Sequence, residues 1–179
     1  TPSSGGTWSG PSGLTGGDLG TFDPATNAAG TYTYTVLDCS GSPQTADVVV
    51  TITPAPVAGT FGNTTLCPTD PATDLFGQLG GSPDNGGTWS GTSALANGDQ
   101  GTFDPSSNAA GTYLYTVTNS CGTDTASVTV TITPNPVPGT NGTASLCSNA
   151  SSINLIDSLG GTPSSGGTWS GPSGLTGGD

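Results

Sequence analysis

Short stretches of alternating apolar and polar residues recur along the chain, separated by Gly, Pro, Asn and Asp. TYTYTV at 31–36 and ADVVVTITP at 46–54 are typical, because β-branched and aromatic residues between turn formers indicate short strands. No stretch has the 3.6-residue period of an amphipathic helix. In the central part of the chain, strands are predicted near 63–67, 74–79, 86–90, 101–103, 111–118 and 125–133. The pattern therefore predicts an all-β protein.

An internal repeat organises these predicted strands. The motif GGTWSG occurs three times and spaces its tryptophans by 81 and 80 residues, at Trp8, Trp89 and Trp169. Because a fixed period marks one structural unit per repeat, one module has about 80 residues. Residues 1–18 are identical to residues 162–179. We therefore expect the sequence to be a slice of a longer tandem array.

Two proline-rich segments predict the module boundaries, PAPVAG at 54–59 and PNPVPG at 134–139, since Pro interrupts strand pairing and stiffens linkers. The expected domains are the C-terminal part of one module (1–56), a complete module (57–134) and the N-terminal part of the next (135–179). So many short strands predict tandem immunoglobulin-like antiparallel β-sandwich modules. Short linkers predict that these form an extended array.

The charged residues of the chain exclude several classes of function and partner. Lys, Arg, His and Glu are absent, and 12 Asp give a net charge of -12. Most enzymes are excluded because the usual general base and the usual cationic stabilisers of a transition state are missing. Nucleic acid is excluded as a partner because phosphate contacts need Lys or Arg. No run is long and apolar enough for direct membrane insertion. We expect neither enzymatic activity nor these partners.

Four cysteines in a small-module protein indicate disulfides and a secreted location. In the favoured scheme Cys67 pairs with Cys121 inside the complete module, and Cys39 and Cys147 pair outside the window. The order Cys67, Trp89, Cys121 resembles the immunoglobulin pattern of a Trp beside an inter-sheet bridge. In the competing scheme Cys39 joins Cys67 and Cys121 joins Cys147, which would link neighbouring modules. Sequence alone leaves both schemes open.

Two Asp pairs are candidate cation ligands, Asp18 with Asp23 and Asp99 with Asp104. Carboxylates five residues apart could share a hard cation. Asp beside Gly or Pro more commonly forms local turns, and neither stretch matches a known calcium-loop motif. We therefore expect turns and no cofactor, although weak Ca²⁺ binding stays open.

The three repeated tryptophans have two interpretations. A row of exposed indoles could stack on sugars, as in a repetitive lectin. Each module has few other large side chains to bury, however, with 3 Trp, 4 Tyr and 4 Phe in the whole chain. We therefore predict that Trp8, Trp89 and Trp169 are core aromatics.

Several motifs together carry a family resemblance: AGTYTYTV, a Cys, the strand ending in TITPAPVAGT, then LCPTD, DLFGQLGG and GGTWSG. They resemble the modules of giant secreted cell-surface adhesins of Bacteroidetes, a group exported by type IX secretion that includes the SprB-type adhesins of gliding flavobacteria. The resemblance implies an extracellular, cell-surface filament for adhesion, and gliding motility in species that glide. It also implies O-glycosylation within Asp-Ser/Thr-apolar tripeptides, which occur here at Thr125 and Ser158.

The expected function is the repetitive shaft of such a filament. Its partners would be further copies of the repeat in cis and an external surface or polysaccharide. Two alternatives remain: an array of carbohydrate- or calcium-binding modules, and a self-assembling structural fibre or surface layer.

Overall fold

The computed structural model describes residues 5–172, 174 and 175. The chain divides into two compact units. The first contains the described residues up to Pro56 together with Thr118–Asp124, and the second contains Val57–Val117 and the described residues from Thr125 onwards. The second unit thus contains residues on both sides of position 134, and the short segment Thr118–Asp124 belongs to the first unit.

The sheet of the first unit has three antiparallel strands in the order β1-β2-β3: β1 (Thr7–Ser9), β2 (Gly30–Leu37) and β3 (Pro43–Val50). The register places Trp8 opposite Tyr34. The two strands β2 and β3 have eight residues each and are joined by a five-residue turn. Thr alternates with Tyr and Val in β2, and β3 ends in three valines; β-branched and aromatic residues of this kind suit a pleated surface.

Six further strands follow along the chain: β4 (Gly62–Leu66), β5 (Thr73–Asp74), β6 (Thr88–Ser90), β7 (Thr102–Phe103), β8 (Gly111–Asn119) and β9 (Gly122–Ile132). One sheet has the order β4-β9-β8-β6, and β5 pairs with β7 in a second, antiparallel sheet. β4 runs parallel to β9, with Gly62 opposite Val128 and Leu66 opposite Ile132. β6 is antiparallel to β8 and places Trp89 opposite Tyr115.

The core of the second unit joins residues of both sheets. Tyr113 and Tyr115 on β8 are fully buried, whereas Leu114 between them is 39% exposed. This period of two puts alternate side chains on one face. Phe103 from β7 and Leu75 after β5 complete the same cluster. The prediction of an all-β protein is thus confirmed for the described residues.

The predicted strand at 74–79 is wrong for most of its length. Only Thr73–Asp74 pairs as a strand, and a 3₁₀ turn follows at Leu75–Gln78. Leu75, the first residue of the turn, and Leu79, the extended residue that follows it, are both buried. Gly77, between them, has little preference for a strand. The short turn therefore buries two leucines that a strand would have placed at separate positions along the sheet.

Helical structure in the described part of the chain is confined to 3₁₀ turns of three or four residues, at Gly17–Leu19, Leu75–Gln78, Gly98–Gln100 and Leu155–Ser158. Within those residues, the structure contains no helix that is both long and apolar enough to cross a membrane.

Candidate functional site

Trp8 and Trp89, two of the repeated tryptophans, each pack on a tyrosine of the neighbouring strand. The Trp89 ring centroid is 5.1 Å from that of Tyr115, and its indole N–H donates to the carbonyl of Asp99 at 2.9 Å. Trp89 is partly buried and packs against the core. Trp8 repeats the arrangement, with a centroid distance of 5.1 Å to Tyr34 and a hydrogen bond of 3.1 Å to the carbonyl of Asp18. In both cases the indole ring packs on a tyrosine and the indole N–H binds a backbone carbonyl of the same repeat.

Trp169 has a different environment, because it is 40% exposed. It lines a cavity of about 200 Å³ together with Ile156 and other residues of the second unit. In the complete repeat the equivalents of these two residues are Trp89 and Phe76, and both pack on Tyr115, with Phe76 5.4 Å from it. The cavity therefore corresponds to the place that a module's own tyrosine occupies. Its shape gives no reason to assign it to a separate ligand.

The candidate carboxylates act as local hydrogen-bond acceptors. Asp104 accepts hydrogen bonds from the backbone N–H and the hydroxyl of Ser106, at 2.9 and 2.7 Å, and Asp23 accepts from the N–H of Ala25 at 2.9 Å. Asp99 accepts from the N–H of Gly86 at 2.9 Å. The contacts of Asp104 and Asp23 are the local turn geometries that short carboxylates favour, whereas Asp99 binds a residue 13 positions earlier in the chain.

Hydrogen bonding to the ionised form lowers the pKa of two of these carboxyl groups, Asp104 and Asp99. The hydroxyl and N–H of Ser106 lower the pKa of Asp104, and the N–H of Gly86 lowers that of Asp99. Donors that bond a carboxylate favour its charged state. Among the described residues no three His, Cys, Asp or Glu side chains come together as a metal-binding group.

All four cysteines are exposed free thiols, so the favoured Cys67–Cys121 bridge is not formed. The strand register gives the reason. Leu66 pairs with Ile132, the last residue of β9, so that Cys67 follows the last pair of this ladder. Cys121 instead precedes Gly122, the first residue of this 11-residue strand. Such a strand spans about 36 Å, whereas bridged cysteines need Cα atoms within about 7 Å.

The immunoglobulin comparison that motivated that bridge also fails for the cysteines. In that fold the bridge joins strands of the two facing sheets. Here Cys67 follows β4, and Cys121 lies in the turn between β8 and β9. The competing bridges, Cys39 with Cys67 and Cys121 with Cys147, are also not formed.

One cysteine makes a specific contact. The thiol of Cys121 donates to the carbonyl oxygen of Thr53 at 3.1 Å, and the side-chain amide of Asn119 donates to the carbonyl of Pro54 at 3.0 Å. The N–H of Cys121 in turn donates to the side-chain oxygen of Asn119 at 2.8 Å. All four residues belong to the first unit. The β8–β9 turn is therefore fixed on a Thr-Pro segment of the proline-rich linker.

The two candidate glycosylation positions differ in environment. Thr125 lies on β9 and is exposed, next to the buried Ala126. Ser158 is the last residue of the 3₁₀ turn Leu155–Ser158 and is half-buried. An extended, exposed residue is the more accessible of the two to a modifying enzyme.

Sequence reasoning missed a repeated polar network around a buried tyrosine. The hydroxyl of Tyr113 lies 2.6 Å from the Ser93 hydroxyl and donates to the carbonyl of Ala109 at 2.6 Å. Asn108 donates to Ser93 at 3.2 Å. The first unit repeats the network with Ser12, Asn27, Ala28 and Tyr32. The available signal was that these four residues recur together at an offset of 81.

Comparison with known proteins adds no family assignment, since the chain matches no protein-family model and no curated protein.

Proposed function

We propose that this chain belongs to the repetitive shaft of an extracellular cell-surface filament that serves adhesion and, in gliding cells, motility. The observation that carries the proposal is the repetition of one set of contacts. Tyr32 and Tyr113 make the same hydrogen bonds, and Trp8 and Trp89 make the same ring contacts. Modules that repeat their internal contacts build a long structure from one folded unit.

The details of the second unit support an immunoglobulin-like module. The order β6-β8-β9 corresponds to strands C, F and G of that fold, and a tryptophan lies on the strand equivalent to C. The hydroxyl of Tyr113, near the start of β8, bonds to the carbonyl four residues upstream, as in the tyrosine corner of such sandwiches. We assign the finer fold on these features. Its departures from that fold include the missing inter-sheet disulfide, the parallel pairing of β4 with β9 and a second sheet of only two short strands, β5 and β7.

The surface chemistry suits a shaft in contact with water. A net charge of -12 with no cationic side chain makes identical modules repel one another, which keeps a repetitive chain soluble. The partners in this proposal are further copies of the repeat in cis and an external surface or polysaccharide. Glycosylation of Thr125 and Ser158 would add a polar coat that limits strand pairing between filaments.

A self-assembling fibre is the second candidate. The exposure of Val48 on β3 does not by itself favour it, because the equivalent strand of the complete module, β9, is paired on both sides by β4 and β8, and Val128, the equivalent of Val48, is buried. A carbohydrate-binding array draws its support from the exposure of Trp169 alone.

Antibody labelling of intact cells that carry the protein tests the adhesive shaft. An antibody against this chain is expected to label extracellular filaments, and its Fab fragments are expected to reduce attachment to glass and to polysaccharide films. Labelling only after permeabilisation, or attachment unchanged by saturating Fab, would count against the proposal.

Sedimentation of the purified chain separates the shaft from the fibre. Extended monomers at all concentrations favour the shaft. Lateral assemblies that grow with concentration favour the fibre.

A further inference from the structure

A Thr-Pro pair ends the TITP segment of each repeat, at Thr53 and at Thr133. In the second unit this pair lies beside a cysteine. The N–H of Thr133 donates to the carbonyl of Leu66 at 2.9 Å, the hydrogen bond that closes the parallel ladder of β4 and β9 at its last pair, Leu66 and Ile132. Cys67 directly follows the Leu66 carbonyl in the chain. The backbone of Cys67 therefore lies next to the group that binds Thr133.

In the first unit the equivalent Thr-Pro pair contacts a different cysteine. The thiol of Cys121 is 3.1 Å from the carbonyl oxygen of Thr53, and Asn119 fixes the same turn on Pro54. The TITP segment that contains Thr133 thus lies beside Cys67, which follows the end of β4 and is called the strand-end cysteine below. The TITP segment that contains Thr53 contacts Cys121, which lies in the turn between β8 and β9 and is called the hairpin cysteine.

Both cysteines approach the Thr from the same side. A residue that precedes Pro is held in an extended conformation, and in extended backbone the N–H and C=O of one residue point the same way. The N–H of Thr133 points towards the strand that carries Cys67, and the C=O of Thr53 points towards Cys121. In a joint that has both neighbours, the two thiols would therefore meet beside one Thr.

We propose that the strand-end cysteine of each module forms a disulfide with the hairpin cysteine of the following module, across the Thr-Pro joint. The pairing differs from both schemes considered from the sequence. It also accounts for four free thiols in this structure. Cys121 would pair with a cysteine 22 residues before Trp8, by the spacing of Cys67 and Trp89, and Cys67 with the hairpin cysteine after Trp169. None of these partners lies within residues 1–179.

The chemistry needs an oxidant, which we identify as the disulfide form of a thiol oxidoreductase or of a small thiol. Each bridge forms one S–S bond from two thiols, which release two protons and two electrons. The electrons reduce one disulfide of the oxidant to two thiols. The inference rests on tandem repetition and does not require the adhesive function.

A tandem of the full chain tests the pairing. Residues 1–161 followed by a complete second copy continue the repeat in register, because residues 1–18 and 162–179 are identical. Oxidised glutathione serves as the oxidant. In this tandem we expect Cys147 of the first copy to bridge to Cys121 of the second copy, and Cys67 of the first copy to bridge to Cys39 of the second. The other four thiols should stay free.

Peptide mass spectrometry under non-reducing conditions identifies the bridges. The chain has no Lys or Arg for trypsin, but cleavage before Asp places each cysteine on its own peptide: 38–46, 47–69, 104–123 and 124–156. The expected products are 124–156 linked to 104–123 and 47–69 linked to 38–46. A link between 47–69 and 104–123, or free thiols in a folded tandem, would overturn the proposal.

Matched variants separate pairing between copies from pairing within one copy. Cys147→Ser in the first copy should abolish the link between 124–156 and 104–123, whereas Cys147→Ser in the second copy should leave its yield unchanged. The opposite dependence contradicts the proposal.

The single 179-residue chain, isolated as a monomer, should keep four free thiols under the same oxidation. Bridges within that monomer would instead support the sequence-based scheme. All four positions are exposed, so the Ser variants are expected to fold, and circular dichroism checks this.

Discussion

Tyr113 donates its phenolic hydrogen to the carbonyl oxygen of Ala109, four residues earlier, at 2.6 Å. Ser93 accepts hydrogen bonds from the N–H of Ala109 and from Asn108, both at 3.2 Å. Its own hydroxyl hydrogen is therefore left for the Tyr113 oxygen, 2.6 Å away. A buried aromatic ring and the turn before β8 are fixed by one closed set of donors and acceptors. Buried polar networks of this kind specify a structure when every member is satisfied.

Replacing Tyr113 with Phe keeps the ring and removes the hydroxyl. The Ala109 carbonyl keeps the Thr92 hydroxyl as a donor at 3.1 Å but loses the shorter bond from Tyr113, and the Ser93 hydroxyl loses its acceptor. We therefore expect the free energy of unfolding to fall by about 1–3 kcal/mol. Thermal or urea unfolding followed by circular dichroism measures this. Leu114→Thr, at a 39% exposed position on the opposite face of β8, is the control and should change stability by less than about 0.5 kcal/mol. Equal effects of the two variants would contradict the role of the network.

Gly101 is required by the position of Trp89. Its φ of 62° lies in the left-handed region, and a Cβ placed on it would overlap the indole nitrogen of Trp89. Gly101→Ala should therefore combine the cost of a left-handed Ala, about 1–2 kcal/mol, with overpacking of about 1–3 kcal/mol. Chemical unfolding gives the total change in free energy.

Gly98→Ala is the matched control for Gly101. Gly98 has a φ of 56°, but a Cβ there has no neighbour within 4 Å. This variant should show the conformational cost alone. If Gly98→Ala destabilises the chain as much as Gly101→Ala, the contact with Trp89 has no energetic role.

Strand positions could be predicted because they depend on local alternation, and the cysteine pairing could not because it depends on register. The sequence places β8 within one residue of its observed end, since Tyr113, Tyr115 and Val117 alternate with Thr and Leu. The direction of β4 relative to β9 has no local signature. A parallel β4 moves Cys67 to the far end of β9 from Cys121, whereas an antiparallel one would have reversed that placement. The candidate bridge therefore stays a prediction, and this strand register gives it no support.

The hydrogen-bond network around Tyr113 was not predicted from the sequence, for a different reason. Ser93 and Asn108 lie in predicted loops, where such residues ordinarily form local turns. Their bonds connect positions 15 and 20 residues apart, and composition does not reveal such distant pairs. The repeat itself does, since an identical set recurs around Tyr32.

Acid should destabilise the chain through its turn carboxylates. The Ser106 hydroxyl and N–H lower the pKa of Asp104 below 3.8, and the hydroxyl of Ser40 and N–H groups of its turn do the same for Asp38. Because the folded pKa is depressed, the unfolded chain binds more protons between the two values. The stabilisation is complete above the ordinary pKa and is lost as pH falls through the folded pKa. The unfolding midpoint should therefore be level above about pH 5 and decrease below about pH 4.

Asp104→Asn isolates one contribution to this decrease. Asn keeps an acceptor for the Ser106 donors but does not titrate, so the decrease below pH 4 should become shallower in thermal unfolding. Protonation also relieves repulsion among the 12 Asp, and that opposite effect is screened at high salt. The decrease should therefore be steeper at high salt in the parent chain. If the unfolding midpoint falls equally steeply below pH 4 in the parent chain and in Asp104→Asn, the stabilising role of the Asp104 carboxylate is contradicted.

Two hydrogen bonds between Val57 and Asp84 form a clamp at the start of the second unit, and the next repeat has the equivalent pair with Ser in place of Asp. Asp84 accepts a hydrogen bond from the N–H of Val57 at 2.9 Å, and its own N–H donates to the Val57 carbonyl at 2.8 Å. At the equivalent place the Ser164 hydroxyl oxygen accepts from the N–H of Val137 at 3.0 Å, and the Ser164 N–H donates to the Val137 carbonyl at 2.8 Å.

Asp84→Ala removes the side-chain acceptor, and we expect a loss of about 0.5–1.5 kcal/mol in the free energy of unfolding. Asp84→Ser copies the other repeat and should retain most of the stability. Urea unfolding of both variants decides the matter: if Ser is no better than Ala, the clamp depends on the carboxylate charge rather than on an acceptor at this position.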